Sequence, residues 1–216
     1  MSMLRIRYQT IEFGDTDIHL RTLRDKQQYA DIGGVADQLG ISSAQWSLFG
    51  VVWASGELLA HLMFDHEIKG LRILEVGCGI ALASLVLNNR LADITATDYH
   101  PEVEHFLLEN VKLNKGEAIP FFRTGWDDDS SSLGKFDLII GSDLLYERDH
   151  VDLLAGFIDR HARPHCEVII VDPGRGRHGS FSKKMAHLGY SHSRSEPESI
   201  DYLTQPFRGR ILRYHR

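Results

Sequence analysis

The chain has 216 residues, of which 43% are hydrophobic and 25% are charged, and its formal net charge at pH 7 is −6 with histidine neutral. This length suits one domain with a substantial core, and the composition is ordinary for a soluble globular protein. The negative charge gives no electrostatic reason to expect a nucleic acid as partner.

Residues 1–45 predict a β-hairpin extension ahead of the main domain. Apolar residues alternate with polar ones on both sides of the turn-like segment Gly14–Asp17, as in paired strands. The stretch from Asp31 to Ser43 is rich in glycine and predicts irregular structure. We therefore place the main domain at residues 46–216.

Strand and helix patterns alternate through the main domain, which predicts an α/β fold with a doubly wound, mostly parallel sheet. The predicted strands lie near 71–76, 93–97, 119–123, 136–141 and 167–171. The predicted helices lie near 56–65, 80–90, 148–161 and 178–188, with one more after Pro101. Two last strands, near 190–196 and 208–214, have no helix between them and predict an antiparallel edge.

Three further features bear on where the protein works. The start MSMLRIRYQT lacks the apolar core of a secretory signal, and no run of about 18 apolar residues exists. The two cysteines, Cys78 and Cys166, lie in apolar surroundings and are expected to be reduced. These features predict a cytoplasmic protein with no membrane partner.

The segment LEVGCGIA, residues 74–81, predicts a buried strand that ends in a glycine turn and opens a helix. Gly77 and Gly79 allow the backbone to turn sharply and to approach a ligand closely. In a doubly wound sheet, the carboxyl end of such a strand is where nucleotide-like cofactors bind.

Two acidic residues and one leucine indicate which cofactor this is. A dinucleotide fingerprint requires a third glycine, but that position holds Leu82. Glu75 at the strand end suits the cationic sulfonium of S-adenosylmethionine. Asp98, about 20 residues further on, ends the next strand and can accept hydrogen bonds from ribose hydroxyls. The spacing therefore favours S-adenosylmethionine.

Polar and aromatic residues follow the other predicted strands, and we expect them to meet at one edge of the sheet. They are Tyr99, Trp126, Asp127, Ser142, Asp143, Tyr146 and Asp172–Arg175. Trp126 is a candidate to stack on adenine, and Trp53, just before the first helix, to line the cleft. Asp143 and Tyr146 present an acid and a phenol that can bind an amine and orient its lone pair.

Together these motifs resemble the seven-β-strand methyltransferases with a Rossmann-like sheet, and among them the protein-lysine methyltransferase family called methyltransferase family 16. The resemblance covers about residues 45–190. It rests on Val52–Ser55, LEVGCGIALAS, Asp98, Trp126–Asp127 and SDLLYE, which contains Asp143 and Tyr146. Asp172–Arg175 resembles, more distantly, the electron-transfer-flavoprotein β-subunit lysine methyltransferases.

The resemblance implies a methyltransferase that uses S-adenosylmethionine, with a protein lysine side chain as acceptor and Asp143 and Tyr146 as catalytic residues. The candidate cofactor-binding residues are Trp53, Glu75, Gly77, Cys78, Gly79, Asp98, Tyr99, Trp126 and Ser142. Positioning of a neutral amine beside the activated methyl group is the main requirement of this chemistry.

Three alternatives remain open. A small-molecule N- or O-methyltransferase would share the cofactor site, because only variable loops distinguish the acceptor pockets. A module that binds S-adenosylmethionine without catalysis is a second alternative. A nucleic-acid methyltransferase is disfavoured because no proline follows Asp143 and because Cys166 is expected at the far end of its strand. The scattered histidines do not have the spacing of a metal site.

Overall fold

The computed structural model describes residues 5–24, 31, 34–42 and 46–216. The strands are β1 (Ile6–Phe13), β2 (Thr16–Leu23), β3 (Arg72–Val76), β4 (Asp93–Asp98), β5 (Phe121–Arg123), β6 (Phe136–Ser142), β7 (Ala162–Asp172), β8 (Ser191–Ser195) and β9 (Arg210–His215). The helices are α1 (Val35–Gln38), α2 (Ala54–Asp65), α3 (Leu82–Asn89), α4 (Val103–Leu113), α5 (His150–His161) and α6 (His178–His187). The predicted domain boundary at residue 45 falls at residues 43–45, outside the described residues, and stays a prediction.

Seven strands form one sheet in the order β5-β4-β3-β6-β7-β9-β8, which confirms the predicted fold class. The first five of these strands pair in parallel, and β9 pairs antiparallel with both β7 and β8. The chain order reverses between β3 and β6, so the crevice for a ligand is expected at the carboxyl ends of these two strands.

Helices cover both faces of the sheet because its central strands are apolar on both sides. Along β6, Leu138 and Ile140 belong to a core formed with α2, α3 and α4, whereas Ile139 belongs to a second core formed with α5 and α6. All three side chains are fully buried. This alternation makes the sheet a rigid support for the loops at its carboxyl edge.

The N-terminal hairpin of β1 and β2 packs on the first of these cores, with Phe13, Ile18 and Leu20 fully buried. Two asparagines, Asn110 in α4 and Asn114 directly after it, bond to the backbone along β2. Asn110 accepts from the Arg21 N–H at 2.6 Å and donates to the Arg21 carbonyl at 3.3 Å. Asn114 bonds the backbone of His19 in the same way, at 2.8 and 2.7 Å. The edge of β2 is thereby paired without another strand.

Two local features differ from the sequence-based expectation. The segment predicted as irregular contains the short helix α1, whose Val35 and Asp37 N–H groups donate to the Asp31 carboxylate. Strand β7 begins at Ala162 rather than near 167. The pairing of β7 with β6 shifts register between Phe136 and Leu138. The first part of β7 contains several exposed residues around Pro164, so it lacks the apolar pattern from which the strand was predicted.

Candidate active site

A cavity of about 450 Å³ lies at the carboxyl ends of β3, β4 and β6, where the chain order reverses. Every residue that the sequence suggests for cofactor binding or catalysis lines this cavity. These residues are Trp53, Glu75, Gly77, Cys78, Gly79, Asp98, Tyr99, Trp126, Ser142, Asp143 and Tyr146. Because they come from separate parts of the chain, the parallel sheet is what brings them together.

The turn after β3 requires both of its glycines. Gly77 and Gly79 have φ values of 60° and 53°, in the left-handed region that favours glycine. A Cβ atom on Gly77 would lie 2.5 Å from Leu144 Cδ2, and one on Gly79 would lie 3.3 Å from the Phe49 carbonyl oxygen. The backbone of Cys78 is fixed to β4, because its N–H donates to the Thr97 carbonyl at 3.0 Å. At these two glycine positions the backbone therefore borders the cavity without a side chain.

Asp98 at the end of β4 is anchored by backbone groups from two sides. Its Oδ2 accepts from the Gly79 N–H at 2.9 Å, and its Oδ1 accepts from the His100 N–H at 2.8 Å. Burial raises the pKa of this carboxyl, whereas these backbone bonds lower it. The carboxyl group is thus held in one orientation at the cavity wall, with lone pairs left for a ligand's hydroxyl groups.

Glu75 lines the cavity and also binds the first turn of α3. Its Oε2 accepts from the Ser84 N–H at 2.9 Å and from the Ser84 hydroxyl. A carboxylate is favourable there because the first N–H groups of a helix have no partner within the helix. Burial nevertheless raises the pKa of Glu75 to about 7, with the nearby Asp98 also raising it. Glu75 is therefore a partly protonated acid near neutral pH when no cation faces it.

Aromatic rings line the opposite side of the cavity. The His150 ring packs edge-on against Trp126 at 4.9 Å and against Tyr146 at 4.5 Å between centroids. Burial and nearby acids raise the pKa of Tyr146 to about 12, so the phenol stays protonated. His150, which the sequence did not suggest as a site residue, fixes both predicted aromatics in place.

Two other predicted aromatics are fixed by hydrogen bonds to segments before α2. The Trp53 indole N–H donates to the Leu48 carbonyl at 2.9 Å, and the Tyr99 hydroxyl donates to the Leu39 carbonyl at 2.8 Å. Phe49, which also lines the cavity, stacks on His100 with ring centroids 4.0 Å apart. Burial lowers the pKa of His100 to about 4, so this ring is neutral. Sequence reasoning missed Phe49 and His100, because neither belongs to a motif.

Asp143 follows β6 in the left-handed conformation, with φ of 54°. Its N–H donates to the Val171 carbonyl at 2.9 Å, which ties the turn to β7. Its carboxylate accepts two bonds from Arg175, from Nε at 2.5 Å and from Nη2 at 2.7 Å. The sequence placed Arg175 among the strand-end residues but indicated no partner for it.

The residues present fit S-adenosylmethionine. A cavity of about 450 Å³ is within the usual size range of cofactor sites. It combines an anchored carboxylate at Asp98, a second acid at Glu75, a turn with two glycines and aromatic walls. In the described part of the chain, no group of three or more histidine, cysteine or acidic residues could hold a metal ion.

Known proteins similar to this chain include named lysine methyltransferases. The electron transfer flavoprotein beta subunit lysine methyltransferase of Xenopus laevis is 27% identical over 139 residues, which cover 62% of this chain and 54% of that protein. The protein N-lysine methyltransferase METTL21A of Danio rerio is 30% identical over 114 residues, covering 48% and 52%. The chain thus spans about half the length of these relatives.

Solved structures share the fold. The 16S rRNA N2 G1207 methyltransferase RsmC of T. thermophilus, solved with AdoMet and guanosine, superposes with a TM-score of 0.68 at 12% identity. The superposition covers 98% of this chain and 50% of that one.

A family model described as lysine methyltransferase matches residues 37–186, which is more than half of the chain. The chain therefore belongs to the lysine methyltransferase family.

Proposed function

We propose that the protein transfers a methyl group from S-adenosylmethionine to the side-chain amine of a lysine in another protein. The observation that carries this proposal is the composition of one cavity. Its β3–β4 side offers the glycine turn and Asp98, and its β6 side offers Asp143 and Tyr146. We assign the first side to the cofactor and the second side to the acceptor lysine.

The proposed cofactor residues divide the ligand between them. Asp98 would accept from the ribose hydroxyls, and Gly77 and Gly79 allow the backbone to approach closely. Trp126 would stack on the adenine, and Glu75 supplies negative charge near the cationic end of the ligand. Trp53, Cys78, Tyr99 and Ser142 line the remaining wall. When bound, the cofactor supplies an electrophilic methyl group.

The proposed acceptor residues bind and orient an amine. Asp143 offers carboxylate oxygens at the mouth, and Tyr146 offers a hydroxyl that stays protonated because its pKa is raised to about 12. A protonated phenol can hydrogen-bond the amine but cannot deprotonate it, so the lysine must lose its proton to water. The residues therefore contribute positioning rather than strong base catalysis.

The names of the relatives support a protein lysine as the acceptor. One relative is named for the electron transfer flavoprotein beta subunit, and another, the Arabidopsis thaliana calmodulin-lysine N-methyltransferase, is 25% identical over 150 residues. The named acceptors differ, so they support the class of acceptor and not a particular one. The negative net charge supports the absence of a nucleic-acid partner.

The cytoplasm remains the proposed location, supported by the two free, buried cysteines. No helix in the described ranges combines the length and the apolar character that crossing a membrane requires.

The deciding experiment incubates the purified protein and labelled S-adenosylmethionine with lysate of the source organism. We expect a labelled protein band that yields methyl-lysine on hydrolysis. Label found only in small molecules would favour the small-molecule alternative. Binding of S-adenosylmethionine without any transfer would favour the non-catalytic module, and binding of NADH in its place would contradict the whole proposal.

A further inference from the structure

The ion pair between Asp143 and Arg175 occupies the acceptor side of the cavity. The guanidinium meets the carboxylate through two bonds, at 2.5 and 2.7 Å, the geometry in which such pairs are strongest. The central carbon of the Arg175 guanidinium also lies 6.0 Å from the centroid of the Tyr146 ring. A cation of this chain therefore stands where the acceptor's own cation is proposed to arrive.

The conformation of the loop that carries Arg175 places this residue beside Asp143. Gly174 and Gly176, on either side, have φ values of 95° and 84°, which other residues rarely adopt. The Gly174 N–H donates to the Asp172 carboxylate at 3.3 Å. The pair forms between the ends of β6 and β7, and Arg175 remains partly exposed, so an incoming side chain can reach it.

The charge around the pair is otherwise mostly negative. Tyr146 and Asp172 of β7 are close enough to act on the charge of Arg175. Asp98 of β4 and Glu147 act in turn on Tyr146, whose ring contacts His150 of α5, and His178 of α6 lies 3.6 Å from the Asp172 carboxylate. Without Arg175, Asp143 would add an uncompensated carboxylate to this set. A carboxylate within about 4–6 Å stabilises the charged form of an amine, commonly by 1–3 pKa units. A lysine held in that form has no lone pair with which to attack.

We propose that Arg175 is a positioning residue that neutralises Asp143, so that the acceptor lysine can lose its proton to water at the mouth of the cavity and still be oriented by Asp143 and Tyr146. This inference rests on the proposed lysine acceptor. Arg175 acts through Asp143 and does not itself take part in bond formation. The site thus orients the amine without trapping it as ammonium.

The first test measures binding of n-butylamine, which has the four-carbon amine of lysine, to the wild-type protein and to Arg175→Met between pH 6 and 10 by ligand-observed NMR. At pH 7 we expect Arg175→Met to bind the ammonium form about tenfold more tightly, because it exposes Asp143. The affinity of the wild type for butylamine should rise as the pH approaches the amine's pKa of about 10.4, whereas the affinity of Arg175→Met should not rise. Equal affinities with parallel pH dependence would overturn the inference.

The second test compares the pH profiles of lysine methylation. Arg175→Met should lower kcat about tenfold at pH 7 without raising KM, and the rate should recover as pH rises by one to two units. Arg175→Lys, which keeps the charge, should restore the wild-type profile. A loss of kcat that is the same at every pH, or that Arg175→Lys does not rescue, would indicate a merely structural role and would overturn the inference.

Arg148→Met is the matched control, because it removes the same charge from an exposed position five residues after Asp143. We expect its butylamine binding and pH profile to match those of the wild type. The two proposals can fail separately. A wild type that methylates no lysine contradicts the proposed function, while butylamine binding still decides the role of Arg175. If the wild type methylates lysine, and Arg175→Met has the same pH profile and butylamine binding as the wild type, only the inference is contradicted.

Discussion

The backbone N–H of Gly79 donates a 2.9 Å hydrogen bond to Oδ2 of Asp98, which joins the turn after β3 to the end of β4. The same carboxylate also holds the His100 N–H, at 2.8 Å. The glycine and the acid, 19 residues apart, therefore form one structural unit. Changing either residue should disturb both the shape of the cavity and its proposed cofactor contacts.

Asp98→Ala should weaken binding of S-adenosylmethionine by at least about tenfold, because it removes a charged acceptor and leaves two backbone N–H groups without their partner. Isothermal titration calorimetry measures the effect. Asp93→Ala is the matched control, since Asp93 is the exposed first residue of the same strand. Wild-type affinity in Asp98→Ala would contradict the assignment of Asp98 to the cofactor.

Gly79→Ala should lower both the melting temperature and the affinity for S-adenosylmethionine. The new Cβ would be placed at a φ of 53° and 3.3 Å from the Phe49 carbonyl oxygen, so the turn must strain or move. Gly179→Ala provides the contrast, because the new Cβ would meet nothing within 4 Å. Alanine also has a higher helix propensity than glycine, which would stabilise α6 by up to about 1 kcal/mol. If both variants melt alike, the turn does not need its glycine.

Much of the fold and the candidate site could be predicted from the sequence because both depend on local patterns. Apolar runs such as Ile139–Ile140 define buried strands, and the parallel sheet then places the residues after each strand at one edge. What escaped prediction depends on contacts between distant segments. The pairing of Asp143 with Arg175 and the stacking of Phe49 on His100 join residues from different loops, and no spacing along the chain encodes either contact.

Asp143→Asn should reduce methyl transfer by about 100-fold while the affinity for S-adenosylmethionine stays within about twofold of the wild type, because Asp143 lies on the proposed acceptor side. Asparagine is chosen because it tolerates the φ of 54° at this position better than alanine. Single-turnover transfer assays and calorimetry measure the two quantities. An equal loss of cofactor affinity would place Asp143 on the cofactor side.

Asn110→Ala should lower the free energy of unfolding by about 1–3 kcal/mol, because it leaves the N–H and carbonyl of Arg21 without partners at the edge of β2. Urea denaturation measures the change. Asn89→Ala, at the exposed end of α3, is the control and should change stability little. An Asn110→Ala protein as stable as the control would mean that the hairpin edge does not depend on this side chain.

Glu75→Gln should change how stability depends on pH. Burial raises the pKa of Glu75 from 4.5 to about 7, so the folded protein binds its proton more tightly than the unfolded chain does. Stability from this group is therefore full below pH 4.5 and is lost as pH rises through about 7. Since one pKa unit corresponds to about 1.4 kcal/mol, the loss approaches about 3 kcal/mol.

Glutamine cannot ionise but can still accept from Ser84, so the variant should keep the stability that the wild type loses. The free energy of unfolding of Glu75→Gln, measured by urea denaturation, should thus rise relative to that of the wild type between pH 5 and pH 8. Asp172, whose pKa burial also raises, contributes equally to both proteins and cancels in the difference. Asp98 does not cancel, because its charge raises the pKa of Glu75 and its interaction with that carboxylate is part of the expected difference. Parallel stability curves for the two proteins would show that Glu75 is already ionised well below pH 7.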